Sequence, residues 1–312
     1  MRAPRAIVWA VSLAVGFVLP LLCASNAEAY TWMIRHGYAG CTPCHTDPSG
    51  GGPLTAYGRA QGELLLQSRY GDTSEEASSL SGLAWGTVQT SDALRLGGDF
   101  REAWFTLHAD GAPSTQQLLT MQAELFGDIK IGRFRAAGNI GFAPTGDLAA
   151  SLTDYPQDNL ISREHWLGYE LDDDGSWLIR AGRMNLPFGI RSLEHTLFAR
   201  TLTRTDIDSD QQYGAALSVS KDRIRAEAMG IVGNFQVHPD DFRQRGYSAY
   251  AEYAPMNTLA VGASSLFTRA TRDLVYGVTD YRYANGVFAR YAPVQQVVLL
   301  AEMDSVYQSL TW

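Results

Sequence analysis

Leu119-Thr120-Met121-Gln122-Ala123-Glu124-Leu125 is the stretch that decides the fold. In an extended strand successive side chains point to opposite sides, so Leu119, Met121, Ala123 and Leu125 share one face and Thr120, Gln122 and Glu124 the other. The pattern recurs downstream. Phe134, Ala136, Gly138, Ile140 and Phe142 oppose Arg133, Arg135, Ala137 and Asn139, and Ile224, Ala226, Ala228, Gly230 and Val232 alternate with Arg223, Arg225 and Glu227. Repeated segments of about ten alternating residues, from about Leu94 onward, are the signature of membrane β-barrel strands.

Further candidates run over 166–171, 177–184, 213–219, 247–253, 259–267, 275–283, 287–291 and 297–304, which brings the count to about eleven. Single-chain bacterial barrels use an even number. The odd count leaves either a miscount or a barrel incomplete at its C-terminus. Turn signals separate the segments at Asp110-Gly111-Ala112-Pro113, Ala143-Pro144-Thr145-Gly146-Asp147, Asp172-Asp173-Asp174-Gly175 and Ala254-Pro255-Met256-Asn257. Tyr and Trp recur near segment ends, as at Trp166, Tyr169, Trp177, Tyr247, Tyr253, Tyr283 and Tyr291, the positions of aromatic girdles. A soluble sandwich or solenoid also alternates. Apolar outer faces opposite arginine-bearing faces favour the barrel, because a watery lumen accommodates the charges.

Ahead of the strands lies Cys41-Thr42-Pro43-Cys44-His45. C-x-x-C-H is the spacing at which two thiols bond the vinyl groups of a haem and the adjacent imidazole takes the iron. The third cysteine, Cys23, falls in an N-terminal stretch where Arg2 and Arg5 precede an apolar run from Ala6 to Cys23 and then Ala27-Glu28-Ala29. That is a secretory signal with an A-x-A cleavage site, and an uncleaved anchor helix is its rival. Cleavage after Ala29 leaves two cysteines, both in the motif, with no partner for a disulfide network and no second pair for a zinc site. Cleavage also removes two arginines and one glutamate, taking the net charge from -8 to -9. An acidic chain of this kind is a poor partner for nucleic acid.

The domain reading is a signal peptide over 1–29, a haem module over 30–80, a linker over 81–92 whose Ser, Thr, Gly and Glu-rich character begins at Gly71, and a barrel over 93–312. A short helix is expected from Ala60 to Tyr70. One covalently attached haem c is the implied cofactor, held by Cys41 and Cys44 with His45 as proximal iron ligand. His36 is the first candidate for the opposite axial position and Met33 the second; an open iron, or a ligand from elsewhere, remains the third reading. No Ser-His-Asp or paired-carboxylate constellation has motif support, so electron transfer is favoured over substrate conversion.

Gly182-Arg183-Met184-Asn185-Leu186-Pro187-Phe188-Gly189 resembles a stretch of phosphate- and polyphosphate-selective porins. The arginines Arg133, Arg135, Arg180, Arg183, Arg223 and Arg225 could set anion preference, or could pair with acidic neighbours across the lumen, which is the favoured reading. The order of an exported C-x-x-C-H module followed by barrel strands resembles the fused cytochrome-porins. The resemblance implies one c-type haem at the N-terminus of a barrel that passes electrons at the bacterial outer membrane. It implies outer-membrane lipid around the barrel, the haem module periplasmic or in the lumen, and a redox partner that is another cytochrome or an extracellular metal ion. The alternatives are a diffusion porin and a haem enzyme with an open axial site.

Overall fold

A computed structural model describes residues 33–34, 36–38, 40–66, 93–108, 111, 114–143, 150–153, 159–191, 197–207, 209–234, 244–273, 276–294 and 297–311. The expected signal peptide over 1–29, the expected linker and the end of the segment expected to form a haem module lie outside the described residues. The chain is mainly β. Among the described residues a helix, α1 (Ala56–Leu66), precedes twelve strands: β1 (Leu94–Leu107), β2 (Thr115–Ile131), β3 (Phe134–Ala143), β4 (Asn159–Ile161), β5 (His165–Glu170), β6 (Trp177–Met184), β7 (Gln212–Lys221), β8 (Ile224–Gly233), β9 (Gln244–Met256), β10 (Leu259–Ala270), β11 (Thr279–Val294) and β12 (Val297–Thr311). A short helix, α2 (Phe198–Thr203), lies between β6 and β7.

Each strand pairs antiparallel with the next in sequence, and the short β4 pairs with β3 off the main path. The helix starts earlier than expected, because Thr55 caps it: Gly58 N–H donates to Thr55 Oγ1 at 3.0 Å. Two of the expected strands, 275–283 and 287–291, are one. β11 runs unbroken through Gly286, paired on both sides by β10 and β12. β1 and the three-residue β4 complete the set. β1 and β12 end the path, and among the described residues no pairing joins them.

Alternation sets the two faces as the sequence indicates. Leu125, Ile129, Phe134, Ile140, Ile224 and Val232 are exposed, while Glu124, Asp128, Asn139, Arg225 and Glu227 are buried. Tyr247, Phe267, Tyr283 and Tyr307 sit directly opposite one another across β9 to β12, with neighbouring ring centroids 6.4, 4.7 and 6.2 Å apart. This is one aromatic row near the ends of those strands. Tyr253 and Tyr291 lie six and eight residues further along β9 and β11, about 20–27 Å at the rise of an extended strand. At the ~35–45° tilt of strands in an outer-membrane-type barrel the spacing along the axis is about 14–22 Å, which lies within the ~25 Å apolar band of such barrels.

Trp166 does not belong to a girdle. It shares its face with Glu170, is buried, and donates from Nε1 to Asp47 Oδ2 at 3.0 Å, inside the barrel. The proposed turn at 254–257 is likewise displaced, since Pro255 and Met256 finish β9 and the reversal falls on Asn257 and Thr258.

One end of the barrel has tight connections, at Gly132-Arg133, Asp222-Arg223 and Asn257-Thr258. The other has long ones, including 185–211 between β6 and β7. Near the end of β6, Gly182, with φ 146°, lies so close to the β5 backbone that a Cβ there would fall 2.2 Å from His165 O. Met184, Leu186 and Phe188 then fill the lumen against Met229, Ile231 and Leu266. Pro187 O accepts from Ser248 Oγ at 2.9 Å, and Gly189 N–H donates to Ser264 Oγ at 2.8 Å.

Candidate functional site

The C-x-x-C-H segment forms a tight turn in which Cys44 and His45 N–H groups both donate to Cys41 O, at 3.1 and 2.9 Å. A two-residue bridge then returns the chain: Thr46 N–H donates to Pro53 O at 3.0 Å and Thr55 N–H to Cys44 O at 2.9 Å. α1 packs so closely on this turn that a Cβ at Gly58 would lie 2.1 Å from Cys44 O. The glycine therefore lets the helix and the motif share backbone contact.

The whole turn sits in the barrel lumen. Asp47 is its anchor: Oδ1 accepts Ser49 N–H at 2.7 Å, and Oδ2 accepts Trp166 Nε1–H and the Arg180 guanidinium. The Trp166 ring lies between Arg135 and Arg180, with guanidinium carbons 5.2 and 5.1 Å from its centroid. Arg135 Nη2 donates to Thr46 O at 2.7 Å, Asn185 Nδ2 to Ser49 Oγ at 3.1 Å, and Thr42 Oγ1 lies 3.1 Å from Ser220 Oγ. Sequence reading missed Asp47 as an anchor. The available signal was parity, since Trp166 shares its strand face with Glu170 rather than with Leu167 and Tyr169.

Cys41, His45 and Met33 line one cavity of about 210 Å³ near the tight-turn end. His45 also lines a second cavity, of about 490 Å³, with Asp99, Glu124, Arg163 and Glu164 toward the long-loop end. His45 thus borders two separate spaces, of which the second lies within the ~300–1,000 Å³ usual for ligand pockets and the first is smaller. His36 is exposed, and Met33 is partly buried on the first cavity.

The chemistry of the donors fits a haem. Cys41 and Cys44 are not joined in a disulfide, and burial pushes both thiol pKa values up, unlike the low-pKa thiolate of a redox-active C-x-x-C pair. Burial pulls the His45 imidazole down, against the raising effect of the Asp47 carboxylate, which favours the neutral ring that binds iron. His45 Nδ1 is buried with no hydrogen-bond partner. Among the described residues no group of three or more His, Cys, Asp or Glu is placed to hold a bare metal ion.

Three of the arginines named from the sequence pair with acids on the inner face. Arg180 meets Asp47 and Glu227, Arg135 meets Asp128 at 2.7 Å, and Arg225 meets Glu252 at 2.8 Å. Arg133 and Arg223 sit at the tight-turn rim, bonded to Asp173 and to Pro255 O. Arg183 Nε donates to Arg163 O at 2.9 Å.

Fold and lumen together define the class: a porin-like β-barrel of outer-membrane type with a C-x-x-C-H segment inside it. Among solved structures the chain is similar to OmpT (in-vitro folded), an outer membrane protein of Vibrio cholerae, with 13% identity over 72% of this chain and 67% of that one and a TM-score of 0.44. It is also similar to a multiply substituted mutant of Rh. blastica porin, with 12% identity over 69% of this chain and 97% of that one and a TM-score of 0.23. No protein-family model and no curated protein matches the chain.

Proposed function

We propose that this chain is a haem c-bearing outer-membrane barrel protein that passes single electrons at or across the membrane, to or from another cytochrome or an extracellular metal ion. The observation that carries the reading is the placement of Cys41, His45 and Met33 on one lumenal cavity, inside a barrel whose outer face is apolar. When bound, a haem would supply a one-electron couple. Cys41 and Cys44 would hold it covalently and His45 would ligate the iron. Met33, by its place on the cavity, stands ahead of His36 for the opposite position. A thioether ligand raises the potential relative to a second imidazole. Short turns face the periplasm in such barrels, which supports a haem near the periplasmic mouth with the second cavity leading from His45 toward the long loops.

Expression with cytochrome maturation machinery, a haem-stained denaturing gel and oxidised and reduced absorption spectra test this. A stained band that Cys41→Ala with Cys44→Ala abolishes is expected; an unstained wild-type band overturns it. The charged second cavity favours one other reading, a diffusion porin. Solute flux through liposomes from an unstained protein would establish that alternative. Inner-face filling by Met184, Leu186 and Phe188 argues against a wide pore.

A further inference from the structure

The wall of the first cavity carries more cationic charge than its own carboxylates neutralise. At the tight-turn end, Arg95 begins β1, Lys130 nears the end of β2 and Arg135 follows the start of β3. Among the described residues their carboxylate partners are two, Asp128 and Glu170. Arg95 Nη1 lies 3.2 Å from Asp128 Oδ2, Arg135 Nη2 lies 2.7 Å from Asp128 Oδ1, and Lys130 Nζ lies 2.6 Å from Glu170 Oε2. Three cations therefore share two anions. Lys130 and Arg135 are, in addition, direct cross-strand partners in the β2–β3 register. Like charges directly opposite destabilise a sheet; here Glu170 stands between them, 2.6 Å from Lys130 Nζ and 4.0 Å from Arg135 Nη1, so one carboxylate serves both. Arg95 Nε and Arg135 Nε are also buried without a hydrogen-bond partner.

All three cations line the cavity that Cys41 and His45 line. Arg135 is bonded to Thr46 O, one residue past His45. Cys41, by contrast, sits between Gly40, where a Cβ would fall 2.6 Å from Arg225 Cδ of β8, and Thr42, whose Oγ1 lies 3.1 Å from Ser220 Oγ of β7. The cation cluster on β1–β3 and the thiol are thus associated with different sectors of the wall. A haem carries its thioether-forming vinyl groups and its two propionate carboxylates on opposite edges.

We infer that Arg95, Lys130 and Arg135 form the binding site for a propionate carboxylate of the haem. This rests on the haem reading above. The cluster's excess charge matches the charge the carboxylate brings, and the guanidinium fork of Arg135 suits a carboxylate geometrically. Held there, the propionate fixes the in-plane orientation of the ring, and the cluster's positive field favours the reduced iron.

The experiment uses full-length, haem-loaded protein in detergent. Midpoint potential and the propionate bending mode in resonance Raman are compared for wild type, Arg135→Gln, Arg135→Lys and Lys130→Gln. Arg269→Gln, an exposed position at the far end of β10, is the charge control. Arg135→Gln and Lys130→Gln are each expected to lower the reduction equilibrium constant about tenfold, about 59 mV for one electron, and to shift the Raman mode. Arg135→Lys should restore most of the potential, and Arg269→Gln should change neither. Lys130 is half-exposed and its loss leaves the Asp128 pair intact, so this variant keeps the test open where Arg135→Gln fails to fold. Attached haem with unchanged potentials and Raman modes in both Gln variants overturns the inference and leaves the haem reading standing; unstained wild type overturns both. Added inorganic phosphate should leave the wild-type potential unchanged. A phosphate-dependent shift that Arg135→Gln abolishes would assign the cluster to a free anion instead, and so overturn the propionate site.

Discussion

Replacing Asp47 tests whether the C-x-x-C-H segment is truly seated in the lumen. Asp47 is 3% exposed and serves three donors: Ser49 N–H, Trp166 Nε1–H and Arg180. Asp47→Ala leaves Arg180 sharing Glu227 with Arg191, two guanidiniums on one carboxylate. It also strands the indole N–H, a loss of about 1–3 kcal/mol on its own. Removing one partner of a buried ion pair costs about 3–5 kcal/mol. The whole of that cost falls on the contact between residues 40–55 and β5–β6, since the strands keep their own ladders. At ~1.4 kcal/mol per tenfold, the dislodged population should rise roughly 10²- to 10⁴-fold. Asp47→Asn should lie well below this, because its amide oxygen still accepts from Trp166. The assay is limited proteolysis of detergent-solubilised protein, following cleavage between residues 40 and 66 by mass spectrometry while the barrel fragment stays intact. Cleavage of Asp47→Ala at the wild-type rate would refute the anchoring argument, since it would mean that the segment's position does not depend on this carboxylate.

Three further outcomes follow from local geometry. Gly58→Ala should push α1 off the C-x-x-C-H turn, because its Cβ would collide with Cys44 O, and, on the proposed haem reading, lower the yield of haem-stained protein with the barrel still folded. Phe188→Ala should destabilise the barrel by about 3–5 kcal/mol in thermal or urea unfolding, and raise single-channel conductance in planar bilayers by opening the apolar plug; unchanged conductance would mean that this side chain does not close the lumen. Asp210, in the connection ahead of β7, has its carboxyl pushed up to about 6, first by burial. A raised folded-state value means stability is fully present below about pH 4 and is lost as pH rises through 6, so Asp210→Asn should remove a decline of at most about 3 kcal/mol across that window. A wild-type stability profile flat from pH 4 to 6 would contradict this.

The alternation at Phe134–Phe142 told which side of that strand faces lipid, with Phe134, Ile140 and Phe142 exposed and Asn139 buried; within Leu119–Leu125 burial agrees at Glu124 and Leu125, but the β1–β2 register skips Met121, an irregularity that the period of two did not show. Strand limits were less legible. The segments 275–283 and 287–291 read as two strands because Gly286 interrupts the pattern, yet paired neighbours on both sides carry β11 through it. Trp166 was misread because an aromatic near a strand end looks alike whether its ring meets lipid or an arginine. Pro187 and Phe188 matched a porin stretch in sequence, but nothing local showed that the segment folds inward, since its partners Ser248 and Ser264 are far along the chain.

By itself the sequence determined what short-range stereochemistry determines: a period of two that sorts each strand's faces, and a five-residue spacing that brings two thiols and an imidazole onto one turn. Only the tertiary structure decided where that turn lies, which of Met33 and His36 borders its cavity, and that Lys130 faces Arg135 across the sheet. Those facts depend on register and on contacts between residues up to more than a hundred positions apart, such as Asp47 with Arg180. A backbone's local preferences carry no record of such partners, because they arise only when the sheet curves and encloses the segment that precedes it.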